Sequence, residues 1–277
     1  MSNNANTRPL AFITGASAGI GAAAAGEFAR AGYDVVLAAR RKDRLEKLAK
    51  DIAAAAPNAQ LVPVVCDVNS DDSVRAAFAL VGERFGRLDV LVNNAGFGVY
   101  GSVEKTPLSA FRDNMETNFF GVIRCTQAAL PLLRVAVKGT RARWGASIIM
   151  VSSIVGRRTI PGMSAYCASK FALEALSETL RVELSDERIA VSVINPSVTQ
   201  TEFVTAAKGE RPANFLPSKG GMTSEAVART ILQAAKRPRR NRYLSAAGKA
   251  GIVLQWASPK LFDAILLRTW RKALENQ

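Results

Sequence analysis

The chain alternates short apolar segments with longer segments of helical periodicity, and this alternation narrows the possible folds more than any other feature. Apolar runs of roughly four to eight residues are typical of strands that are buried on both faces. Strands joined by helices form parallel sheets, and right-handed crossovers place the helices on both sides. The sequence therefore predicts an α/β fold with one doubly wound parallel sheet of about seven strands and helices on both faces.

The boundaries of the predicted elements follow from the hydrophobic period and from Gly, Pro and polar breaks. The predicted strands are Leu10–Thr14, Asp34–Ala39, Leu61–Val65, Leu88–Val92, Ser147–Val151, Ile189–Ile194 and, more weakly, Arg242–Ser245. The predicted helices are Ile20–Ala31, Asp43–Ala56, Ser70–Phe85, Leu108–Leu133, Ser164–Leu184 and Thr223–Ala235. Arg134–Trp144 is predicted to be a basic surface insertion, and Thr199–Met222 a loop with short helices.

The organisation into domains follows from the lack of a long Gly/Ser/Pro linker. Residues 1–277 are predicted to form a single domain of the doubly wound, Rossmann type. Within it, residues 8–201 would form the cofactor and catalytic core. Residues 202–277 would provide a substrate loop and a C-terminal cover.

The amino-acid composition excludes several classes of enzyme. The chain contains no histidine, which removes Ser-His-Asp hydrolases, histidine-ligated zinc enzymes and histidine general bases. Cys66, Cys125 and Cys167 are too widely spaced for a disulfide framework or a metal cluster, so no metal site is predicted. Proton transfer must therefore depend on Tyr, Lys, Cys or carboxylate groups.

Hydropathy and charge bear on location and partners. No apolar run reaches the roughly 18 residues of a membrane span, and Met1–Leu10 lacks the apolar stretch of a secretory signal, so a cytoplasmic protein is expected. The formal net charge is +14, and the stretch from Ala206 to Gln277 holds 14 Lys and Arg against 4 Asp and Glu. A solvated basic face explains this excess, and so does attraction to anionic ligands or membranes. No nucleic-acid-binding module is recognisable, so nucleic acid is not an expected partner.

A glycine-rich turn, TGASAGIG at Thr14–Gly21, follows the first predicted strand. Glycines in such a turn let the backbone approach a pyrophosphate, whose charge is stabilised at the N-terminus of the following helix. The spacing is G-x-x-x-G-x-G, so the general G-x-G-x-x-G fingerprint does not apply literally. A plain strand-turn-helix junction is the alternative. Because the turn follows the first strand, we predict a dinucleotide site whose candidate residues are Gly15, Ser17, Gly19, Ile20 and Gly21.

The end of the second predicted strand bears on the choice between the two nicotinamide cofactors. NAD-binding sites of this type place a carboxylate there for the ribose 2′-hydroxyl, whereas NADP-binding sites use Arg for the 2′-phosphate. This strand runs into Arg40 and Arg41, with no acidic residue beside them. Arg40 is the better candidate, with Arg41 as a helper through charge-assisted hydrogen bonds. Two solvated arginines are the alternative, and NADP(H) is the predicted cofactor.

Tyr166 and Lys170 are four residues apart and would share one helix face. A phenol with its usual pKa of about 10 is a poor acid or base at neutral pH, and a nearby ammonium group lowers that pKa. The pair could therefore give a proton to a carbonyl oxygen, or take one in the reverse reaction. A Tyr-x-x-x-Lys spacing alone is a weak signal.

The combined motifs are highly specific. The turn at Thr14–Gly21, the sequence NNAG at Asn93–Gly96, Ser153 thirteen residues before Tyr166, and Lys170 resemble the short-chain dehydrogenase/reductase family, in its compact single-domain subclass. The resemblance extends from about residue 8 to 201 and implies hydride transfer between NADPH and a carbonyl or alcohol.

The same resemblance implies a role for each catalytic residue. Tyr166 would be the general acid/base, Ser153 would hold the reacting oxygen, and Lys170 would bind the nicotinamide ribose and favour ionisation of Tyr166. Asn118 would anchor a proton-relay water. Asn114, one turn away, is the alternative to Asn118, and Ser152 is the alternative to Ser153.

The resemblance also implies further cofactor contacts. Asp67 and Val68 resemble the adenine-binding pair of the family, and Asn94, Ala95 and Gly96 its wall beside the cofactor, with a structural turn at a strand end as the alternative. Pro196, Val198 and Thr201 would lie near the nicotinamide. Ser197 stands where the family usually has Gly, which is a local departure beside that site.

A mostly apolar group of residues is predicted to line the substrate pocket, which favours a hydrophobic carbonyl or alcohol substrate. These residues are Phe97, Val99, Tyr100, Val155, Ile160, Met163, Phe203 and Phe215. Arg157 and Arg158 could bind an acidic substrate, although a solvated rim is the simpler interpretation.

The C-terminal stretch Gly251–Ala273 mixes apolar and basic residues. It could cover the pocket, pack on a second subunit or contact a membrane peripherally. The family resemblance implies a homodimer or homotetramer joined through the helices near 108–133 and 164–184. Three rival functions are a non-catalytic NADP-binding regulator, a membrane-peripheral adaptor and an NAD-preferring alcohol dehydrogenase.

Overall fold

A computed structural model describes residues 8–203, 207–209 and 221–274 of the chain. The strands of this part are β1 (Leu10–Thr14), β2 (Asp34–Ala39), β3 (Leu61–Val65), β4 (Val90–Asn93), β5 (Ala146–Val151), β6 (Ile189–Asn195), β7 (Thr199–Gln200), β8 (Met222–Thr223) and β9 (Asn241–Tyr243). Seven of these described strands form one parallel sheet in the order β3-β2-β1-β4-β5-β6-β9, and β7 and β8 form a separate two-residue parallel ladder. The predicted doubly wound parallel sheet is confirmed.

The helices of the described residues connect these strands. They are α1 (Gly19–Arg30), α2 (Lys42–Ala55), α3 (Asp71–Phe85), α4 (Leu108–Met115), α5 (Gly121–Lys138), α6 (Ser164–Glu183), α7 (Ser224–Lys236), α8 (Ala246–Ala257) and α9 (Pro259–Leu274). A π-helical turn at Glu116–Phe120 joins α4 to α5, and a single 3₁₀ turn occupies Ile154–Gly156.

The central strands are buried at every position and mostly apolar, because both faces of the sheet are covered. On β1, Leu10 and Phe12 belong to the core cluster shared with α3, α5 and α6, and the ring of Phe12 stacks on Phe78 of α3 at 4.4 Å. The alternate residues Ala11 and Ile13 belong to the opposite cluster, which includes buried residues of α1, α2 and α7. Successive side chains of a strand point to opposite faces, so a continuous apolar run is what a two-sided core requires.

The long helix predicted at Leu108–Leu133 differs in two ways from the observed one. The π-helical turn interrupts it, and α5 continues to Lys138, so the first part of the predicted insertion at 134–144 is helical. The helix continues because Ala136 extends the buried stripe begun by Leu133. By length and composition alone, the helical segment Leu108–Lys138 could cross a membrane. Its most apolar stretch of 18 residues has a mean hydropathy of 1.3, and 39% of that stretch is buried inside the protein.

The sheet order fixes where a ligand can bind. The order reverses between β1 and β4, the point at which open α/β sheets form a crevice beyond the carboxyl ends of their strands. At this edge β1 ends at Thr14, and β4 ends at Asn93 beside Met150 of β5. Both the glycine turn and the Asn93–Gly96 segment leave the sheet here.

Candidate active site

A cleft of about 1000 Å³ opens at the carboxyl ends of the central strands. The predicted site residues that line it are Gly15, Ser17, Gly19, Ile20, Arg40, Arg41, Asp67, Val68, Asn94, Ala95, Gly96, Ser153, Tyr166, Lys170, Pro196, Val198 and Thr201. The two others, Gly21 and Asn118, are buried behind the wall of the cleft. Residues from seven segments of the chain are thus brought together at one edge of the sheet.

The glycine turn has the geometry of a dinucleotide cradle. Gly15 and Gly19 have φ values of 65° and 54°, which side chains with a Cβ rarely adopt. A Cβ at Gly21 would lie 2.4 Å from the carbonyl oxygen of Gly15, so only glycine permits this contact between turn and helix. Helix α1 begins at Gly19 without a side-chain cap at Ala18, and its N-terminus therefore offers N–H groups and positive partial charge to a phosphate. The turn fits a pyrophosphate.

Replacing Gly21 by Ala is expected to destabilise the turn and to weaken nucleotide binding. The added methyl group would overlap the Gly15 carbonyl and lie 2.6 Å from Asn94 Nδ2, and relieving such overlap costs about 1–3 kcal/mol. Thermal unfolding and fluorescence titration with NADPH measure the two effects. The matched control is Gly82→Ala in α3, where the new Cβ would lie 3.7 Å from Leu132, and a gain of about 0.5–1 kcal/mol is expected. Equal stability changes in the two variants would contradict the overlap argument.

Thr14 and Asn94 fasten the glycine turn to the end of β4. The Oγ1 atom of Thr14 accepts hydrogen bonds from the backbone N–H groups of Asn94 and Ala95 at 2.9 and 3.0 Å. The Nδ2 group of Asn94 donates to the carbonyl oxygen of Thr14 at 2.9 Å. Thr14 was not among the predicted site residues, although its place as the one polar residue ending an apolar strand could have indicated this role.

The two arginines after β2 differ in their contacts. Arg41 donates from Nη2 and Nε to the Oγ atom of Ser17 at 3.0 and 3.3 Å, and its Nη1 lies 3.6 Å from the carboxylate of Glu202. Arg44 also binds that carboxylate, at 2.9 Å. Arg40 is exposed on the wall of the cleft. The sequence favoured Arg40 over Arg41 as the residue that binds the 2′-phosphate. In the structure it is Arg41 that contacts the glycine turn. Glu202, which lies beside Arg41, was not indicated by any local sequence pattern.

Tyr166 and Lys170 are buried and line the cleft together with the half-buried Ser153. Burial raises the pKa of Tyr166 above its usual value, and a hydrogen bond with Ser153 acts in the opposite direction. The ammonium group of Lys170 lies 5.7 Å from the centre of the Tyr166 ring and donates to the carbonyl oxygen of Val151 at 2.9 Å. Burial lowers the pKa of Lys170 to about 8, and the charge of Glu174 raises it. Tyr166 is therefore a protonated phenol at neutral pH in this structure.

The two candidate serines are adjacent but not equivalent. Both line the cleft, yet it is the hydroxyl group of Ser153 that acts to lower the pKa of Tyr166. Ser153 precedes the 3₁₀ turn, and its Oγ atom accepts a hydrogen bond from the N–H group of Val155 at 3.3 Å. This contact holds the hydroxyl group beside the phenol.

The two candidate asparagines act together on the cleft wall. Asn118, in the π-helical turn, accepts a hydrogen bond from the N–H group of Phe97 at 3.0 Å and donates to its carbonyl oxygen at 3.0 Å. Asn114 donates to the same carbonyl oxygen at 2.8 Å, and Asn118 also donates to Ser169 Oγ at 3.0 Å. Both side chains are fully buried. Their amide groups thus hold the Phe97 backbone against α6.

The substrate end of the cleft is mostly apolar. The predicted residues that line it are Phe97, Tyr100, Val155, Ile160, Met163 and Phe203. Val99 was also predicted but does not line the cleft. The chain is extended at Val99, where it forms a β-bridge with Lys208, and successive side chains of an extended chain point to opposite sides. Tyr100 therefore faces the cleft and Val99 faces away from it. Phe215 lies outside the described residues.

Helix α9 lies across this end of the cleft. It contributes Phe262, Ile265, Leu266 and Thr269, which lie in the stretch Gly251–Ala273 that was considered as a cover but were not on the list of predicted pocket residues. Four residues of the C-terminal stretch thus line the cleft, while packing on a second subunit and peripheral membrane contact stay predictions. Periodicity indicates that a helix has an apolar face, but not which surface that face meets.

Comparisons with known proteins agree with this geometry. The family described as short chain dehydrogenase matches residues 9–211. A dehydrogenase/reductase SDR family protein 7-like of Anopheles gambiae is 32% identical over 271 residues, which cover 95% of this chain and 83% of the relative.

Two solved structures are similar over nearly their whole length. One is an alcohol dehydrogenase from the archaeon Thermococcus sibiricus in complex with 5-hydroxy-NADP, with a TM-score of 0.75 and 30% identity over 86% of this chain and 96% of that one. The other is a short-chain dehydrogenase/reductase from Burkholderia phymatum in complex with NAD, with a TM-score of 0.81 and 25% identity over 92% and 95%. The chain therefore belongs to the short-chain dehydrogenase/reductase family, as an oxidoreductase of alcohol and carbonyl groups with a nicotinamide cofactor.

Proposed function

We propose that the protein is an NADPH-dependent reductase of a hydrophobic carbonyl compound, with Tyr166 as the general acid. The observation that carries this proposal is that Tyr166, Ser153 and Lys170 line one mostly apolar cleft, with the ammonium group of Lys170 5.7 Å from the centre of the Tyr166 ring. A non-catalytic NADP-binding regulator would need no such acid. The combination of a proton donor and an apolar cleft thus favours catalysis over sensing.

Tyr166, Ser153 and Lys170 together can protonate a carbonyl oxygen without taking a proton from water. When bound, the nicotinamide cofactor supplies the hydride for the carbonyl carbon. Tyr166 gives its phenolic proton to the carbonyl oxygen, and the hydroxyl group of Ser153 holds that oxygen by a hydrogen bond. Lys170 carries the nearest ammonium group and stabilises the phenolate that remains, since a cation close to an anion lowers its energy most where water is excluded.

Phe203 and the amide-held Phe97 help to exclude water from this reaction. The ring of Phe203 lies 5.2 Å from that of Tyr166, and Phe97 is fixed by Asn114 and Asn118. Excluding water strengthens each electrostatic contact inside the cleft. An apolar carbonyl compound would complete this wall when it binds.

The preference for NADPH is supported by Arg40 and Arg41. We expect Arg40→Met and Arg41→Met each to raise the Kd for NADPH about 10- to 100-fold and to leave the Kd for NADH nearly unchanged, because each removes charge-assisted hydrogen bonds to the 2′-phosphate. Fluorescence titration measures both constants. Arg84→Met is the matched control, since this exposed arginine near the end of α3 does not line the cleft.

Wild-type titration and turnover test the proposed function directly. NADPH should bind more tightly than NADH, and its absorbance should fall during incubation with aldehydes, ketones, quinones and steroid-like carbonyls. Equal affinity for the two cofactors would contradict the predicted preference and favour an NAD-dependent alcohol dehydrogenase. Binding of neither cofactor would overturn the proposal.

A further inference from the structure

Arg158 is a cation of the substrate end of the cleft that the proposed chemistry does not use. It follows the 3₁₀ turn after Ser153, and its N–H group donates to the carbonyl oxygen of Ile154 at 3.2 Å. The residue lines the cleft together with Ile160 and Met163. Arg158 and the catalytic Ser153 therefore line the same cleft.

The charge of its neighbour Arg157 is already neutralised. Arg157 binds the carboxylate of the buried Glu174 at 2.9 Å and also pairs with Glu178. Lys208, a second cation of this end of the cleft, binds Asp113 at 2.9 Å. Among the residues that the structure describes, Arg158 forms no ion pair. Apart from the catalytic Lys170, Arg158 is thus the cation without an ion-pair partner among the described residues at the substrate end of the cleft.

The environment of Arg158 is unlike that of a solvated rim. Burial lowers its pKa, and its Nε atom is completely buried without a hydrogen-bond partner in the described part of the chain. Helix α8 packs over it at Gly251, where a Cβ would lie only 3.1 Å from Nη1. A buried donor that lacks a partner is unfavourable, and in a cleft a bound ligand can supply the missing acceptor.

We infer that Arg158 binds a carboxylate group of the substrate, so that the protein reduces an oxo acid with an apolar body rather than a neutral carbonyl compound. This inference rests on the proposed reductase function. A guanidinium group is well suited to this task because its planar N–H groups match the two oxygens of a carboxylate. The apolar residues of the cleft would then bind the body of the substrate, and Tyr166 its carbonyl oxygen.

A matched pair of substrates tests the inference by turnover. Phenylglyoxylate and its methyl ester carry the same ketone and differ in charge. We expect wild-type protein to prefer the acid, and Arg158→Met to lower kcat/KM for the acid about 10- to 100-fold while changing that for the ester less than about threefold. Arg268→Met is the control, since it removes one positive charge from an exposed position of α9 that does not line the cleft. Its acid-to-ester ratio should equal that of the wild type.

Direct binding separates a failure of this inference from a failure of the proposed function. Phenylacetate has no ketone to reduce, and calorimetric titration of NADPH-saturated protein measures its Kd without turnover. Binding that is lost in Arg158→Met and kept in Arg268→Met would support the carboxylate site even if neither phenylglyoxylate nor its ester were reduced. Absence of phenylacetate binding to the wild type, or an acid-to-ester ratio unchanged by Arg158→Met, would overturn the inference.

Discussion

Replacing Tyr166 by Phe is expected to lower kcat for carbonyl reduction by about 10³-fold, within the range by which a positioned general acid accelerates a reaction. The substitution removes one oxygen atom and leaves the ring against Phe203. The Kd for NADPH should therefore change by less than about threefold, because the lost group acts on the transition state rather than on ground-state binding. Single-turnover kinetics with bound NADPH measures the chemical step alone.

Tyr33→Phe is the matched control for this loss. Tyr33 contacts the ring of Phe28 between α1 and β2, away from the cleft, so its hydroxyl group can be removed without touching the site. Its activity should equal that of the wild type. Residual activity of Tyr166→Phe above about one tenth of the wild-type rate would exclude Tyr166 as the general acid.

The raised pKa of Tyr166 gives the two directions of the reaction different pH dependences. Reduction needs the protonated phenol, which burial favours, so its rate should not fall between pH 6 and pH 9 on account of this group. Alcohol oxidation needs the phenolate, whose population rises about tenfold per pH unit below the pKa. Its rate should rise with pH over the same range. A fall in the rate of reduction with an apparent pKa near 7 would show that the bound cofactor reverses the effect of burial.

The sequence predicted the sheet well because two-sided burial leaves a strong signal. Six apolar strands alternate with helices, and each was predicted within two residues of its observed start. The π-helical turn at Glu116–Phe120 was not predicted, because its cause is tertiary: Asn118 turns inward to hold Phe97. Hydrophobic periodicity cannot report a contact between two distant segments.

The same distinction explains the candidate site. The glycine turn, Tyr166 and Lys170 were identified because their spacing along the chain is itself a signal. Glu202 and helix α9 reach the cleft only through the fold, and no spacing links them to it. The sequence led to the expectation that Lys170 would favour ionisation of Tyr166. Burial has the opposite effect and dominates, so the pKa of Tyr166 is raised, and the extent of burial cannot be read from the sequence.

Lys170→Met is expected to make the cofactor-free protein more stable while it abolishes turnover. Burial lowers the pKa of Lys170 from 10.5 to about 8, a difference worth roughly 3 kcal/mol at about 1.4 kcal/mol per pH unit. Loss of the hydrogen bond to Val151 offsets about 1 kcal/mol of this gain. At neutral pH, unfolding of cofactor-free protein should therefore show a gain of about 2 kcal/mol.

The pH dependence identifies the buried ammonium group as the cause. Below pH 8, Lys170 is protonated in both the folded and the unfolded protein, so the full cost of burying its ammonium group lowers the stability of the fold. Above pH 8, Lys170 loses its proton first in the folded protein, and this cost declines as the pH approaches 10.5. The difference in stability between Lys170→Met and wild type should accordingly be largest at pH 7 and shrink by pH 9.5. Lys50→Met, at an exposed position of α2, should show no such difference at either pH. If Lys170→Met were less stable than wild type at pH 7, the ammonium group would stabilise the fold. Lys170 would then not be a residue that lowers stability for the sake of activity.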